Sequence, residues 1–161
     1  LSGGEGSDYA YYASATAAVT VYLLYDAGYA GEAAGDSLVG IENLWGSAYN
    51  DFLVGDANGN SINGAGGNDI IAGGGGNDYL TGGAGNDYFY FQAGANGTDT
   101  VSDFVDGADY LYFALAAAAN FNALAISGNG SNSVSVAYAG GSIIVQGASP
   151  ITLTAADFLF A

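Results

Sequence analysis

Aspartate recurs at a fixed interval in the middle of this chain. Asp51, Asp69, Asp78 and Asp87 stand on a nine-residue frame, and Asn60 fills the remaining place. Each lies two residues before an apolar residue: Leu53, Ile62, Ile71, Leu80 and Phe89. Glycines separate the units, so the backbone beside each carboxylate can approach its neighbours closely. Repeated carboxylates and exposed carbonyls are hard oxygen ligands. The cation served by about six to eight oxygens, with no nitrogen or sulfur, is Ca²⁺.

Elements must exist to bring these oxygens together. From Gly46 the chain divides into "GSAYNDFLV", "GDANGNSIN", "GAGGNDIIA", "GGGGNDYLT" and "GGAGNDYFY". The frame runs back to Leu44 without a slip. The glycine-rich half of each unit reads as a turn, and the last three residues as a short strand with its central apolar side chain inward. Two units then make one turn of a coil with two strands and two loops. Stacked turns give two parallel sheets around a thin core, and loops 18 residues apart lie above one another. The expectation is all-β, with cations held between loops by Asp51, Asn60, Asp69, Asp78 and Asp87 and by the carbonyls of Gly64, Gly66, Gly73, Gly75 and Gly82.

Composition points the same way. The 161 residues include 16 acids and no Lys, Arg or His, a formal charge of −16. No internal salt bridge can form, and a compact chain with that charge repels itself unless cations come from outside. Nucleic acid is excluded as a partner, because no side chain can neutralise phosphate. Zero Cys and zero Met suit an oxidation-resistant extracellular surface. No basic stretch opens the chain, so no cleavable signal peptide is expected, and no apolar run is long enough for a transmembrane helix.

Catalysis is not expected. Without His there is neither an H-E-x-x-H zinc site nor a His-based triad, and G-x-S-x-G is absent. Asp56-Ala57-Asn58-Gly59-Asn60 starts like an EF-hand loop but lacks the glycine at Ser61 and a closing Glu. Trp45, Tyr79 and Tyr88 should face outward, as ordinary sheet surface or as a self-association face.

The repeats resemble the RTX family, whose nonapeptide GGxGxDxUx forms a Ca²⁺-binding parallel β-roll. "GGGGNDYLT" and "GGAGNDYFY" match at every defined position, and "GAGGNDIIA" departs at Ala65. "GDANGNSIN" and "GSAYNDFLV" depart further and resemble degenerate opening repeats. "GGEGSDYAY", from Gly3, adds Asp8 as a ligand, so the chain reads as beginning inside a repeat of a longer protein. The order of segments is also similar to the C-terminal half of serralysin-type secreted proteases. "GTDTVSDFVDGADYLYF" resembles the family's closing segment and offers Asp99, Asp103, Asp106 and Asp109, of which Asp99, Asp103 and Asp109 join the expected metal ligands, while Asp106 is as readily solvated. Thr100 to Phe104 should cover the open end of the roll. "LAIS", "SVSVAYA" and "SIIVQG" read as antiparallel strands with a turn at Gly140-Gly141. "TLTAADFLFA" resembles an uncleaved C-terminal signal for type I secretion, with Asp157 on its surface.

Three regions follow: 1–36, a partial repeat with an inserted strand region; 37–90, the β-roll; and 91–161, an antiparallel β cap. The resemblance implies a Ca²⁺-binding module of a secreted bacterial protein. Its role is either structural, extending to self-assembly into a surface layer, fibre or adhesin through the roll ends or exposed aromatics, or that of folding and secretion module for a hydrolase whose catalytic domain lies upstream.

Overall fold

The apolar side chains spaced by nine are the core of the molecule. The computed structural model describes residues 1–94, 97–114 and 117–160. Leu44, Leu53, Ile62, Ile71, Leu80 and Phe89 are each 0% exposed. Burial of one such side chain contributes about 1.5–3 kcal/mol.

Alternate units feed opposite sheets. In the first sheet β1 (Tyr9–Tyr11), β4 (Asn43–Trp45), β6 (Ser61–Asn63), β8 (Tyr79–Thr81) and β10 (Gly97–Val101) pair in parallel. Their inward residues stack as Ala10, Leu44, Ile62, Leu80 and Val101. In the second, β2 (Thr20–Tyr22), β5 (Phe52–Val54), β7 (Ile70–Ala72), β9 (Tyr88–Phe91) and β11 (Tyr110–Phe113) stack Val21, Leu53, Ile71, Phe89 and Leu111. The insertion between Ala10 and Leu44 supplies β2 and an antiparallel edge strand, β3 (Ala27–Ala30).

Past Phe91 the structure differs from the expected cap. The nine-residue period stops, but the coil continues. β10 adds a parallel rung to the first sheet rather than covering its end, and Phe104 lies beyond that strand, buried. β11 does the same for the second sheet. Longer loops lengthen this turn, so Val101 follows Leu80 by 21 residues and Leu111 follows Phe89 by 22.

The antiparallel part is β12 (Ala125–Ser127), β13 (Ser131–Tyr138) and β14 (Gly141–Ile151), and β14 joins it to β10 in parallel. Gly140, at φ 112°, makes the β13–β14 turn. The run Leu115–Ala119 begins outside the described residues. The last strand, β15 (Phe158–Phe160), pairs in parallel with β11. Phe158 and Phe160 there join Phe91, Phe113 and Tyr138, with ring centroids 5.1–6.3 Å apart, and these rings close the apolar core. Among the described residues no helix is long and apolar enough to cross a membrane.

Candidate metal centre

The loops stack because glycine allows it. A Cβ at Gly85 would lie 1.8 Å from the carbonyl oxygen of Gly67, and one at Gly83 would lie 2.3 Å from that of Ala65. The N–H groups of Gly66 and Gly75 donate to the carbonyls of Ser47 and Asp56, one coil turn earlier. Ala65 holds φ at 75° although it carries a side chain. The stacked loop imposes that left-handed conformation.

Stacking aligns the acids into two ladders. On the edge leading into the second sheet, Oδ1 of Asp51 accepts from the N–H of Val19, Oδ1 of Asp69 from that of Asp51, Oδ1 of Asp87 from that of Asp69, and Oδ1 of Asp109 from that of Asp87, at 2.7–2.9 Å. On the opposite edge, Asn60 N–H donates to Asp78 Oδ1 and Asp78 N–H to Asp99 Oδ1, at 2.9 and 3.1 Å. Glu42 belongs to this second ladder: its Oε2 accepts from the N–H of Asp8 at 2.9 Å. Sequence reasoning passed over Glu42, although it stands two residues before Leu44 in the same frame.

The second carboxylate oxygen separates the rungs. For Asp8, Asp69, Asp78 and Asp87, Oδ2 is buried with no hydrogen-bond partner among the described residues. A buried, unpartnered carboxylate oxygen is costly, and a coordinated cation relieves it. Oδ2 of Asp69 faces the Cα of Gly64: a Cβ there would lie 2.2 Å from it and 2.6 Å from the carbonyl oxygen of Gly82. Cβ atoms on Gly73 and Gly82 would lie 2.0 and 2.3 Å from Oδ2 of Asp78 and Asp87. The absent side chain thus lets each carboxylate oxygen lie against the glycine backbone among carbonyl oxygens, as also at Gly46 and Gly55. What sets Asp69, Asp78 and Asp87 apart is the missing donor, and an oxygen-only surrounding suits Ca²⁺.

Other rungs are satisfied from within. The N–H and hydroxyl of Ser47 donate to Asp51, taking up both carboxylate oxygens. Asn60 accepts from the N–H of Asp56 through Oδ1, and its Nδ2 donates to the carbonyl of Glu42 at 2.8 Å. A hydrogen-bond donor sits where Asp78 and Asp69 present a bare oxygen. Asp109 Oδ2 accepts from Val105 N–H at 2.8 Å. Asp103 stands outside both ladders; its two oxygens accept from Gly82 and Gly83 N–H at 2.9 and 2.8 Å, closing the last loop. Asp106 accepts from Thr152 N–H. Asp157 is buried rather than on the surface, and forms a capping box with Thr154 ahead of β15.

Burial raises the carboxyl pKa of Asp69 to about 7, Asp78 to about 6, Asp87 to about 6 and Asp99 to about 7. Asp109 moves in the same direction. Desolvation is the largest cause in each case, partly offset by the accepted backbone hydrogen bond. Among the described residues no three acidic side chains converge on one point. A cation here would therefore be held by one carboxylate and backbone carbonyls from neighbouring loops.

Residues 38–71 and 63–101 match the family described as RTX calcium-binding nonapeptide repeat (4 copies). No curated protein matches the chain. Among solved structures, the extracellular lipase LipA from Serratia marcescens is similar at 20% identity and a TM-score of 0.45, over 84% of this chain and 23% of the lipase. The chain thus spans less than a quarter of that protein.

Proposed function

Because residues 38–101 belong to the RTX calcium-binding nonapeptide repeats, we propose that the chain is the calcium-dependent folding module of an extracellular protein. One observation carries this reading: Asp69, Asp78 and Asp87 bury carboxylate oxygens with no hydrogen-bond partner among the described residues, in a chain with no Lys, Arg or His. Ca²⁺ would supply positive charge between stacked loops. We assign one ion to each of these three carboxylates and a further one to Asp8. Asp51 and Asn60, satisfied by Ser47, Asp56 and Glu42, hold their loops without metal. In this reading Asp99, Asp103 and Asp109 support the last turn.

The role is structural, and no residue here is assigned to catalysis. Extracellular Ca²⁺ modules bind with Kd of about 10⁻⁴–10⁻³ M. At the far lower free Ca²⁺ of the cytosol the sites stay empty and the charged ladders repel. The chain leaves the cell unfolded, with Phe158–Phe160 exposed for recognition by a type I exporter, and locks that strand against β11 once Ca²⁺ is abundant. The position of the export segment inside the folded sheet supports folding after export. In a longer protein this module would anchor whatever precedes it, a hydrolase domain or further repeats. Isothermal titration of the metal-free chain with CaCl₂, beside the same titration of Asp78→Ala, tests the assignment. The variant should bind one ion fewer, and equal stoichiometry would refute it.

A further inference from the structure

We propose that the outer face of the second sheet binds a cationic side chain, an arginine or lysine presented by an apolar segment of a partner protein. The face carries a groove of about 400 Å³. Its floor is Val54 and Ala72, the small outward residues of β5 and β7. Rings wall it on both sides: Tyr22 with Phe52, centroids 5.5 Å apart, and Tyr90 with Tyr112, 5.2 Å apart and edge-on. Tyr22, Val54, Ala72 and Tyr90 occupy successive strands in one outward row, so the two walls stand about 14 Å apart between backbones. That leaves room for one flat or compact head group between ring faces.

Charge selects what enters. None of the groove's side chains is charged, and the chain around it is −16 with no cationic residue to pair with its own rings. Four calcium ions would still leave roughly −8, so the folded module remains a strong attractor for cations. Four aromatic rings around an uncharged floor attract a guanidinium or ammonium through their negative faces. At one end Gln92 is shared with a neighbouring depression that contains Asp56. Asp56 accepts hydrogen bonds from Asn58 and Asn60, and its carboxylate belongs to that adjoining depression. A second copy of the chain is disfavoured, because it offers no cation and brings another −16. A neutral sugar would use the rings but gain nothing from the field.

The test uses the calcium-saturated chain and a short blocked peptide with one central arginine flanked by leucines. The control peptide replaces arginine by citrulline, its uncharged isostere. Binding is read by calorimetry in about 150 mM salt, where diffuse attraction to surface acids is screened. The arginine peptide should bind at least tenfold more tightly than the citrulline peptide. Tyr90→Leu, which removes a wall, and Ala72→Leu, which fills the floor, should each weaken binding about tenfold. Neither should move the calcium midpoint, which circular dichroism reads separately, so failure of the groove and failure of the calcium reading give different results. Equal binding of the two peptides, as a neutral or merely apolar ligand site would give, overturns the proposal. So do an affinity unchanged by both variants, no saturable binding at millimolar peptide, or a dimer seated on this face that the peptide cannot displace.

Discussion

The backbone N–H of Asp69 donates to Oδ1 of Asp87, 2.9 Å away and 18 residues later, while Oδ2 of Asp87 is buried without a donor among the described residues. One carboxylate thus has two functions. Its first oxygen fixes the register between successive coil turns. Its second is the oxygen proposed above to meet the ion.

Substitutions in the ladders should separate these functions. Asp69→Ala, Asp78→Ala and Asp87→Ala remove both oxygens, and each should raise the calcium midpoint for folding several-fold. Asp56→Ala, outside the ladders, should leave the midpoint nearly unchanged. Asp51→Ala should cost about 1–3 kcal/mol by freeing the buried N–H groups of Val19 and Ser47, with no change in the number of ions bound. Equal midpoints for Asp56→Ala and Asp78→Ala would contradict the assignment.

Gly64→Ala and Gly66→Ala compare two glycines of one loop. Neither has a positive φ, so alanine strains neither backbone. A methyl group on Gly64 would fall 2.2 Å from Asp69 Oδ2 and so displace that carboxylate, whereas one on Gly66 meets nothing closer than 3.9 Å. Gly64→Ala should therefore weaken calcium binding at least tenfold, and Gly66→Ala should behave as the parent. Calcium titration of both, followed by circular dichroism, checks this.

Much of this was legible in the sequence because one residue type at one interval carried each job. The six apolar residues from Leu44 to Phe89 predicted two parallel sheets, and all are buried where the frame put them. The frame could not show that β10 and β11 extend the coil, since loops of altered length break the interval while leaving Asp99 and Asp109 two residues before Val101 and Leu111. It could not show that β15 is the final rung, because its partner β11 lies 47 residues earlier. Nor could it rank the ladder residues. Whether the second oxygen of Asp51 or Asp69 is satisfied depends on where one backbone N–H points: that of Ser47 donates to Asp51 Oδ2, whereas that of Ala65 donates to Asn63 Oδ1.

Acid should replace calcium in part. Desolvation raises the carboxyl pKa of Asp69 from the ordinary 3.8 to about 7, and those of Asp78 and Asp87 to about 6. Folded protein therefore holds these protons more tightly than unfolded chain. The resulting stability is complete below about pH 4 and is lost as pH rises through 6–7. In EDTA, the folded fraction should be higher at pH 4.5 than at pH 8. With calcium the trend reverses, since protons compete for the same oxygens and the midpoint should fall as pH rises. A metal-free fold that gains stability between pH 5 and 8 would contradict the burial argument.

The C-terminal strand should depend on its cap. Asp157 accepts from Thr154 N–H and hydroxyl at 2.7 and 3.0 Å just before Phe158 inserts into the core. Asp157→Ala should cost about 0.5–2 kcal/mol. Amide exchange in the calcium-bound protein should then quicken first along Phe158–Phe160, well before β7 or β9. Uniform quickening would mean that β15 is not a separable rung.

The central claim is that calcium completes this fold, and far-UV circular dichroism of the whole chain across a calcium titration tests it most directly. At pH 8 in EDTA the spectrum should be that of a largely unfolded chain. Millimolar Ca²⁺ should convert it cooperatively to β-sheet, with Mg²⁺ at the same concentration unable to do so, because Mg²⁺ demands a tighter octahedral shell and parts reluctantly with its water. A spectrum that is already β-sheet in EDTA at pH 8 and does not change with Ca²⁺ would contradict the account.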